Sequence, residues 1–307
     1  MLEIRNLTKR YGKFTALENL SIRMKRGEIF GFVGPNGAGK TTTMRIVAGL
    51  LKADEGEVLI DGHNALKVKK GLRDKIGYMP DFFGIYDNLK AIEYLEFFAS
   101  TYGMVGKVAR EKCIGLLDLV HLKEYANVYV DDMSRGMKQR LCLARSLVHD
   151  PQVLILDEPS TGLDPRARLE MKDIILSLKN ENKTILISSH ILPELSKISD
   201  TIGVIEKGKI VVTGSVEDIL LAKGTQSPIV IRVADGMDQA VKVLKANKNA
   251  KNITIQDKQI SLVYMGNEES EAQLLTSLVN HGVMVSSFAR EESNLESLFM
   301  QITEEDV

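Results

Sequence analysis

Apolar and polar residues alternate with a period of two in the first part of the chain. Apolar positions recur in this way over residues 2–7 and 20–24, and a short run of apolar residues follows at 29–33. This spacing predicts three strands. Alternation is typical of strands with one buried face, so we expect the first two strands to form a small antiparallel layer.

A helical pattern replaces the alternation between residue 42 and residue 150. Residues 42–50 predict one helix, and apolar residues recur every three or four positions over 88–104 and 108–122. These spacings are those of amphipathic helices. We therefore expect a separate helical lobe at about residues 82–150.

Two short runs that are apolar at every position follow the helical segment. They cover residues 153–156 and 184–188, and a predicted helix at 165–180 separates them. Strands without alternation are buried on both faces, and a helix between two such strands favours a parallel sheet. The first 222 residues therefore predict an α/β fold.

The pattern changes again after residue 228. Predicted elements follow in the order strand, helix, strand, strand, helix, strand, which is typical of a ferredoxin-like α+β domain. A last amphipathic segment spans 294–302. Residues 225–307 carry 7 basic and 12 acidic residues, whereas residues 1–224 carry 33 and 29. Together with the polar, Gly- and Pro-containing stretch at 222–228, this predicts domains at 1–222 and 228–307; a surface loop within one domain is the alternative.

Composition limits the function classes. The net charge of −1 over 307 residues argues against a nucleic-acid partner held mainly by phosphate contacts. No uninterrupted apolar run reaches eighteen residues, and residues 1–5 enter a strand pattern directly, so we expect a cytoplasmic protein. Cys113 and Cys142 lack metal-ligand spacing and are interpreted as reduced core residues.

The candidate chemistry begins in a glycine-rich loop directly after the third predicted strand. The loop reads Gly34, Pro35, Asn36, Gly37, Ala38, Gly39, Lys40, Thr41, and Thr42 continues into a helix. Such a loop turns its N–H groups toward a triphosphate, while its lysine contacts the β- and γ-phosphates and its threonine hydroxyl binds Mg²⁺. The helix N-terminus adds a positive dipole end. A glycine-rich turn without a ligand is the alternative interpretation.

Two carboxylates follow the apolar run at 153–156. Asp157 and Glu158 would lie at the carboxyl end of a buried parallel strand, where ligands of open α/β sheets bind. We expect Asp157 to hold Mg²⁺, through water, and Glu158 to polarise the water that attacks the γ-phosphate. A solvated Asp-Glu pair at a strand end is the alternative.

Residues 1–222 resemble the ATP-binding subunit of an ABC transporter, a P-loop ATPase with an antiparallel β subdomain and a helical lobe. Residues 133–140, which read Met-Ser-Arg-Gly-Met-Lys-Gln-Arg, stand at the family's signature, and 160–164 resemble its D-loop. Residues 188–190, Ser-Ser-His, resemble its switch segment, and Tyr11 stands where the family stacks a ring on adenine.

The resemblance implies a dimer of ATPase subunits, formed with itself or with a relative, in which two chains complete each ATP site. Ser134 and Gly136 would bind the γ-phosphate held by the other chain, and Asp164 would couple the two sites. His190 would contact the γ-phosphate of its own chain and orient Glu158 and water. ATP and Mg²⁺ are the implied cofactors.

Two positions depart from the family's pattern. Asp81 stands where glutamine is usual as a metal ligand, and its shorter, charged side chain reaches Mg²⁺ either directly or through water. Arg135 replaces the usual glycine. It either projects to solvent, contacts phosphate, or weakens the capping of phosphate across the interface.

The resemblance also implies a membrane partner. The apolar residues Phe82, Phe83, Ile85 and Tyr86 stand where the family grips a permease subunit, or they form lobe core. With its extra domain the chain resembles ATPases of two-component exporters of drugs, lipids, polysaccharides or ions, or of gliding machines, on the cytoplasmic face of the membrane. A soluble ABC-type ATPase of translation, DNA repair or protein remodelling, and a small-molecule kinase, are the alternatives.

Overall fold

The fold is that of a computed structural model, which describes residues 1–65, 73–81, 84, 88–215, 218–219 and 228–290. The chain divides into two compact units, Met1–Ser215 and Val216–Val307. Most of the boundary segment predicted at 222–228, and all of the amphipathic segment predicted at 294–302, lie outside the described residues. The domain limits drawn from the sequence therefore stay a prediction.

The first unit contains two sheets and a set of helices. Its strands are β1 Leu2–Tyr11, β2 Phe14–Met24, β3 Ile29–Val33, β4 Glu55–Ile60, β5 His63–Asn64, β6 Ile76–Met79, β7 Val153–Leu156, β8 Thr184–Ser189, β9 Thr201–Glu206 and β10 Lys209–Gly214. Its helices include α1 Lys40–Val47, α2 Ala91–Thr101, α3 Gly106–Leu119, α4 Arg135–Ser146, α5 Pro165–Asn180 and α6 Leu192–Ser196.

The smaller sheet is the antiparallel layer predicted from the alternating strands, in the order β2-β1-β4-β5. Leu2 pairs with Met24 on one side and with Ile60 on the other. All three are buried, in a core cluster that also contains Met44 of α1 and Phe30 of β3. The apolar face of this sheet therefore packs with the helix that follows the glycine-rich loop.

The larger sheet has the order β10-β9-β3-β8-β7-β6. Pairing is parallel from β9 through β6, and every residue of β3, β7 and β8 is buried. This confirms the parallel pair predicted from the two apolar runs. Parallel pairing also brings the carboxyl ends of β3, β8, β7 and β6 to one edge.

The expectation of a helical pattern from residue 42 to residue 150 is wrong for residues 55–79. That segment contains strands β4, β5 and β6. β4 has only three consecutive buried residues, and β6 is four residues long and contains Gly77. β4 therefore shows no alternation and β6 gives only a short run that glycine interrupts, so tertiary pairing determines their conformation.

The predicted helices of the lobe form as α2, which is shorter than its apolar pattern at both ends, and α3, which begins and ends a few residues earlier than its pattern. Cys113 of α3 and Cys142 of α4 are free and buried, as expected for core thiols. Burial raises the pKa of the Cys142 thiol to about 11.

The second unit contains β11 Ile229–Asp235, α7 Met237–Ala246, β12 Ala250–Gln256, β13 Gln259–Tyr264, α8 Glu268–Asn280 and β14 Met284–Arg290. This is the element order that the sequence predicts. The strands form an antiparallel sheet in the order β12-β13-β11-β14, and Ile231, Leu244 and Leu278 belong to its core. In the described parts of both units, no helix has the length and apolar character needed to cross a membrane.

Candidate functional site

The glycine-rich loop connects the end of β3 to the start of α1. Gly39 caps α1 with a φ of 112°, in the left-handed region that favours glycine. Lys40 is the first residue of the helix and is buried. Its Nζ donates to the carbonyl oxygens of Gly34 at 2.6 Å and Pro35 at 3.2 Å. The loop thus curves around its own lysine, which is the conformation expected of a phosphate-binding loop.

Asp157 and Glu158 follow β7, and β8 lies between β7 and β3 in the sheet. Asp157 is fully buried, and its Oδ1 accepts a hydrogen bond of 2.8 Å from the Ser188 hydroxyl at the end of β8. The same Ser188 oxygen accepts the backbone N–H of Glu158 at 3.0 Å. Ser188 therefore fixes both acidic residues relative to the neighbouring strand.

Glu158 makes three contacts through its carboxylate. Oε2 lies 2.8 Å from His190 Nδ1 and accepts a 2.8 Å hydrogen bond from the Thr161 hydroxyl. Oε1 lies 3.6 Å from Lys40 Nζ. The backbone of Glu158 has a φ of 51°, an unusual value for a residue other than glycine. The contacts and this backbone conformation fix the carboxylate beside the glycine-rich loop.

Burial shifts the pKa of two charged groups at this edge. Desolvation lowers the pKa of Lys40, and the nearby Glu158 and Asp157 carboxylates oppose that shift. Desolvation raises the pKa of Asp157, and the hydrogen bond from Ser188 opposes it. In both groups burial disfavours the charged form. An anion beside Lys40 and a cation beside Asp157 would therefore stabilise the two charges.

A cavity of about 410 Å³ is lined by Lys40 together with Glu158. Asp81, Glu158 and His190 contribute polar side chains to it, and 45% of the His190 side chain is exposed. This volume lies in the range of small-ligand sites. The cavity is lined by Tyr11, Phe14, Ala16, Pro35, Asn36, Gly37, Gly39, Lys40, Thr41, Thr42, Asp81, Glu158, Thr161 and His190.

Two aromatic rings line this cavity. Tyr11 and Phe14 are paired residues of the β1–β2 hairpin, and they are 50% and 62% exposed. Lys9 Nζ lies 5.4 Å from the centre of the Tyr11 ring. Exposed aromatic rings that line a polar cavity can stack on a planar base.

Several predicted site residues are absent from the described lining of the cavity. Gly34, Ala38 and Asp157 are buried behind it. Ser134 and Asp164 are exposed residues that cap α4 and α5, accepting the backbone N–H groups of the residues three positions further on.

Gly136 follows in the first turn of α4, where a Cβ would come within 3.2 Å of the Ala167 Cβ. Arg135 is exposed, and its guanidinium lies against Gly162. The signature residues therefore form a second surface, defined by Ser134, Arg135 and Gly136, beside the loop at 160–164.

The Mg²⁺ ligands predicted from the sequence lie at the same strand edge. Oδ2 of Asp157 is buried and has no hydrogen-bond partner among the described residues, so it is available to a cation. No cluster of three or more His, Cys, Asp or Glu side chains with metal-binding geometry occurs in the described residues. These residues fit Mg²⁺ as the family uses it, bound by one or two side chains together with phosphate oxygens.

Sequence reasoning did not assign Phe14, Ala16 or Thr161 to the cavity. Thr161 lies three residues after Glu158, a spacing at which a hydroxyl reaches back to a carboxylate, and this is the signal that was available. Phe14 and Ala16 come from β2 and only meet the cavity through sheet pairing. The apolar cluster predicted at Phe82, Phe83, Ile85 and Tyr86 lies outside the described residues.

Comparison with known proteins agrees with this geometry. The family model described as "ABC transporter" matches residues 17–161, which contain the loop, the signature and both carboxylates. The linearmycin resistance ATP-binding protein LnrL of Bacillus subtilis is 31% identical over 99% of this chain and 98% of its own length. The bacitracin transport ATP-binding protein BcrA of Bacillus licheniformis is 36% identical over 98% and 97%.

The chain belongs to the ATP-binding subunits of ABC transporters. Among solved structures, the dimeric post-hydrolysis state of the ATP-binding cassette MJ0796 bound to ADP and Pi covers 70% of this chain and 99% of that one. Its TM-score is 0.65 at 26% identity. As a member of this family, the chain is an ATPase that binds and hydrolyses ATP in the service of transport.

Proposed function

We propose that this ATP-binding subunit hydrolyses ATP at composite sites, each formed by the cavity of one copy and the signature surface of a second chain. The cavity and the signature surface of one chain are separate, and this observation supports the proposal most directly. Lys40, Glu158 and His190 line the cavity, whereas Ser134 and Gly136 do not contribute to its described lining. A second chain would supply the missing groups, consistent with the dimeric state of the similar cassette.

In the proposed site the phosphate loop binds the triphosphate tail. Lys40 would exchange its loop carbonyl partners and the Glu158 contact for the β- and γ-phosphates. Its burial strengthens this exchange, because an anion replaces the solvation that the ammonium has lost. Tyr11, with Phe14 beside it, would stack on the adenine ring.

Glu158 is the proposed general base. His190 and Thr161 bind one oxygen of its carboxylate, and once Lys40 turns to phosphate the other oxygen is free to accept a hydrogen bond from water. The carboxylate then orients and polarises the water that attacks the γ-phosphate. His190 is half exposed and sits on the cavity side, where its second ring nitrogen can reach the γ-phosphate.

Thr41, Asp157 and Asp81 are the proposed holders of Mg²⁺. The ion would supply charge neutralisation on the β- and γ-phosphate oxygens. Ser188 keeps Asp157 in place and leaves its second oxygen available. Asp81 follows β6 and lines the cavity. Of the three residues, it is the one next to the segment that is predicted to contact the membrane partner.

On the other chain, the signature surface would cap the γ-phosphate. Ser134 caps α4, so a phosphate placed there would meet its hydroxyl, the Gly136 N–H and the positive helix end. Asp164 caps α5 beside that surface and is the proposed link between the two sites.

The proposed partner is an integral membrane permease, which the chain would drive from the cytoplasmic face. The name of one relative refers to bacitracin transport and that of another to linearmycin resistance, which supports compounds of this kind as the substrate class. Such compounds would contact the permease, because the site described here binds nucleotide.

Co-purification tests this proposal. Detergent-solubilised membranes from cells that express the tagged chain should yield an integral membrane protein together with the chain on affinity purification. Capture with ribosomes or DNA in place of a membrane protein would contradict the proposal. Phosphate release without any acceptor substrate separates an ATPase from a kinase.

A further inference from the structure

Arg135 makes a contact that neither its position in the signature nor the proposed capping role explains. A Cβ placed on Gly162 would overlap Cζ and both Nη atoms of Arg135. Because all three guanidinium atoms approach this one point, the planar group presents its face to the glycine. Gly162 has a φ of 72°, so its lack of a side chain serves both the turn and the contact.

Further contacts hold the same loop against α4. Gln139 Nε2 donates a 3.1 Å hydrogen bond to the carbonyl oxygen of Thr161. Gly136 allows α4 to approach α5, since a Cβ on it would come within 3.2 Å of Ala167. The first turns of α4 therefore contact the loop before α5 at successive positions.

These contacts form a continuous path to the base. Arg135 lies on Gly162, Thr161 precedes Gly162, and the Thr161 hydroxyl binds Oε2 of Glu158 at 2.8 Å. The path runs within one chain. It therefore connects the surface that would meet the other chain's ATP to the carboxylate that would act on this chain's own ATP.

We propose that Arg135 is a positioning residue that holds the loop at 160–164 so that Thr161 can orient Glu158. This inference rests on the proposed function, because the signature surface has a reason to communicate with Glu158 only in a two-chain site. Docking of the signature on phosphate would fix Arg135, and through Gly162 it would fix the base of the opposite site. The guanidinium plane, rather than its charge, is the feature required.

Substitutions at position 135 separate the plane from the charge. R135A and R135K should both lower kcat for ATP hydrolysis about 3- to 10-fold, no more than loss of the Thr161 hydrogen bond itself, since lysine retains the charge but has no flat group to cover the glycine. ATP binding to the isolated subunit should stay within about twofold, because the arginine is absent from the described cavity lining. Recovery of full kcat in R135K would overturn the proposal and favour a charge contact with phosphate.

The glycine gives the reciprocal test. G162A should lower kcat, and the double variant R135A/G162A should lose no more than the larger single effect, because both changes remove one contact. G103A is the matched control for backbone strain, since Gly103 has a φ of 79° and nothing within 4 Å of a Cβ. Multiplicative effects of R135A and G162A would overturn the proposal.

A separate measurement distinguishes this inference from the proposed function. E158Q with ATP should form a dimer, and R135A in that background should form the same dimer at a protein concentration within about fivefold. Failure of E158Q itself to dimerise would count against the two-chain site. Loss of the dimer only in the R135A background would assign the arginine to capping and overturn its positioning role.

Discussion

His190 Nδ1 and the Thr161 hydroxyl bind the same carboxylate oxygen of Glu158, each at 2.8 Å, while its other oxygen faces Lys40 Nζ at 3.6 Å. One oxygen is thus held by His190 and Thr161, and the other contacts Lys40, which bound phosphate would attract. This asymmetry divides the carboxylate into an anchored side and a reactive side. The proposed catalysis depends on both.

Replacing Glu158 by glutamine should remove the base and preserve the anchor. The amide keeps the shape of the carboxylate but cannot accept the proton of the attacking water, so phosphate release should fall by at least about 100-fold. ATP affinity should remain, and size-exclusion chromatography with ATP should show a stable dimer. Hydrolysis at the parent rate would show that another group activates the water.

Replacing Lys40 by alanine should act on binding. The ammonium is buried beside the loop carbonyls, and a charged hydrogen bond to phosphate is worth about 1.5–3 kcal/mol, so ATP affinity should fall roughly 10- to 100-fold. Titration with a fluorescent ATP analogue measures this. K107A is the control, because Lys107 is exposed and pairs with Glu111 on α3. Unchanged affinity in K40A would remove the lysine from the phosphate site.

Replacing Thr161 by valine should have a smaller effect than E158Q or K40A. T161V removes the hydrogen bond to Oε2 and keeps the side-chain volume, so kcat should fall about 3- to 10-fold while ATP affinity is unchanged. T161S restores the hydroxyl and should recover most of the rate. If T161V and T161S behave alike, the methyl group or the backbone of the loop matters more than the hydrogen bond.

The glycine-rich loop and the acidic pair are easier to recognise in the sequence than the sheets around them. The glycine-rich loop and the Asp157-Glu158 pair could be predicted because each is contiguous and follows a strand that is apolar throughout. The strands β4 and β6 were missed because β4 does not alternate and β6 is a short run interrupted by Gly77. Phe14 lines the cavity because the tight turn between β1 and β2 pairs it with Tyr11, and the apolar pattern of the sequence does not show where that turn falls.

Arg135 shows the limit of reading a motif by position. The sequence left open whether this side chain projects to solvent or toward phosphate. In the structure its guanidinium lies against Gly162, which follows β7 in the loop before α5. That contact depends on how α4 packs beside the loop before α5, and packing between elements is not visible in either motif alone.

His149 predicts a pH dependence of stability. Its Nε2 lies 2.9 Å from the Ile76 carbonyl oxygen, and its ring stacks on Tyr102 with centroids 4.2 Å apart. Burial lowers the pKa of His149 below its ordinary value, so the unfolded chain takes up a proton at higher pH than the folded chain. Stability from this group is present above about pH 6.5, and it is lost as the pH falls from there through the folded-state pKa.

Denaturant unfolding between pH 8 and pH 5 measures this loss. One histidine contributes a slope of at most about 1.4 kcal/mol per pH unit, and H149Q should remove that part of the slope while keeping a hydrogen-bond donor near Ile76. Lost stacking would lower the free energy of unfolding equally at every pH, so the slope reports the titration alone. An unchanged slope in H149Q would show that other groups determine the acid sensitivity.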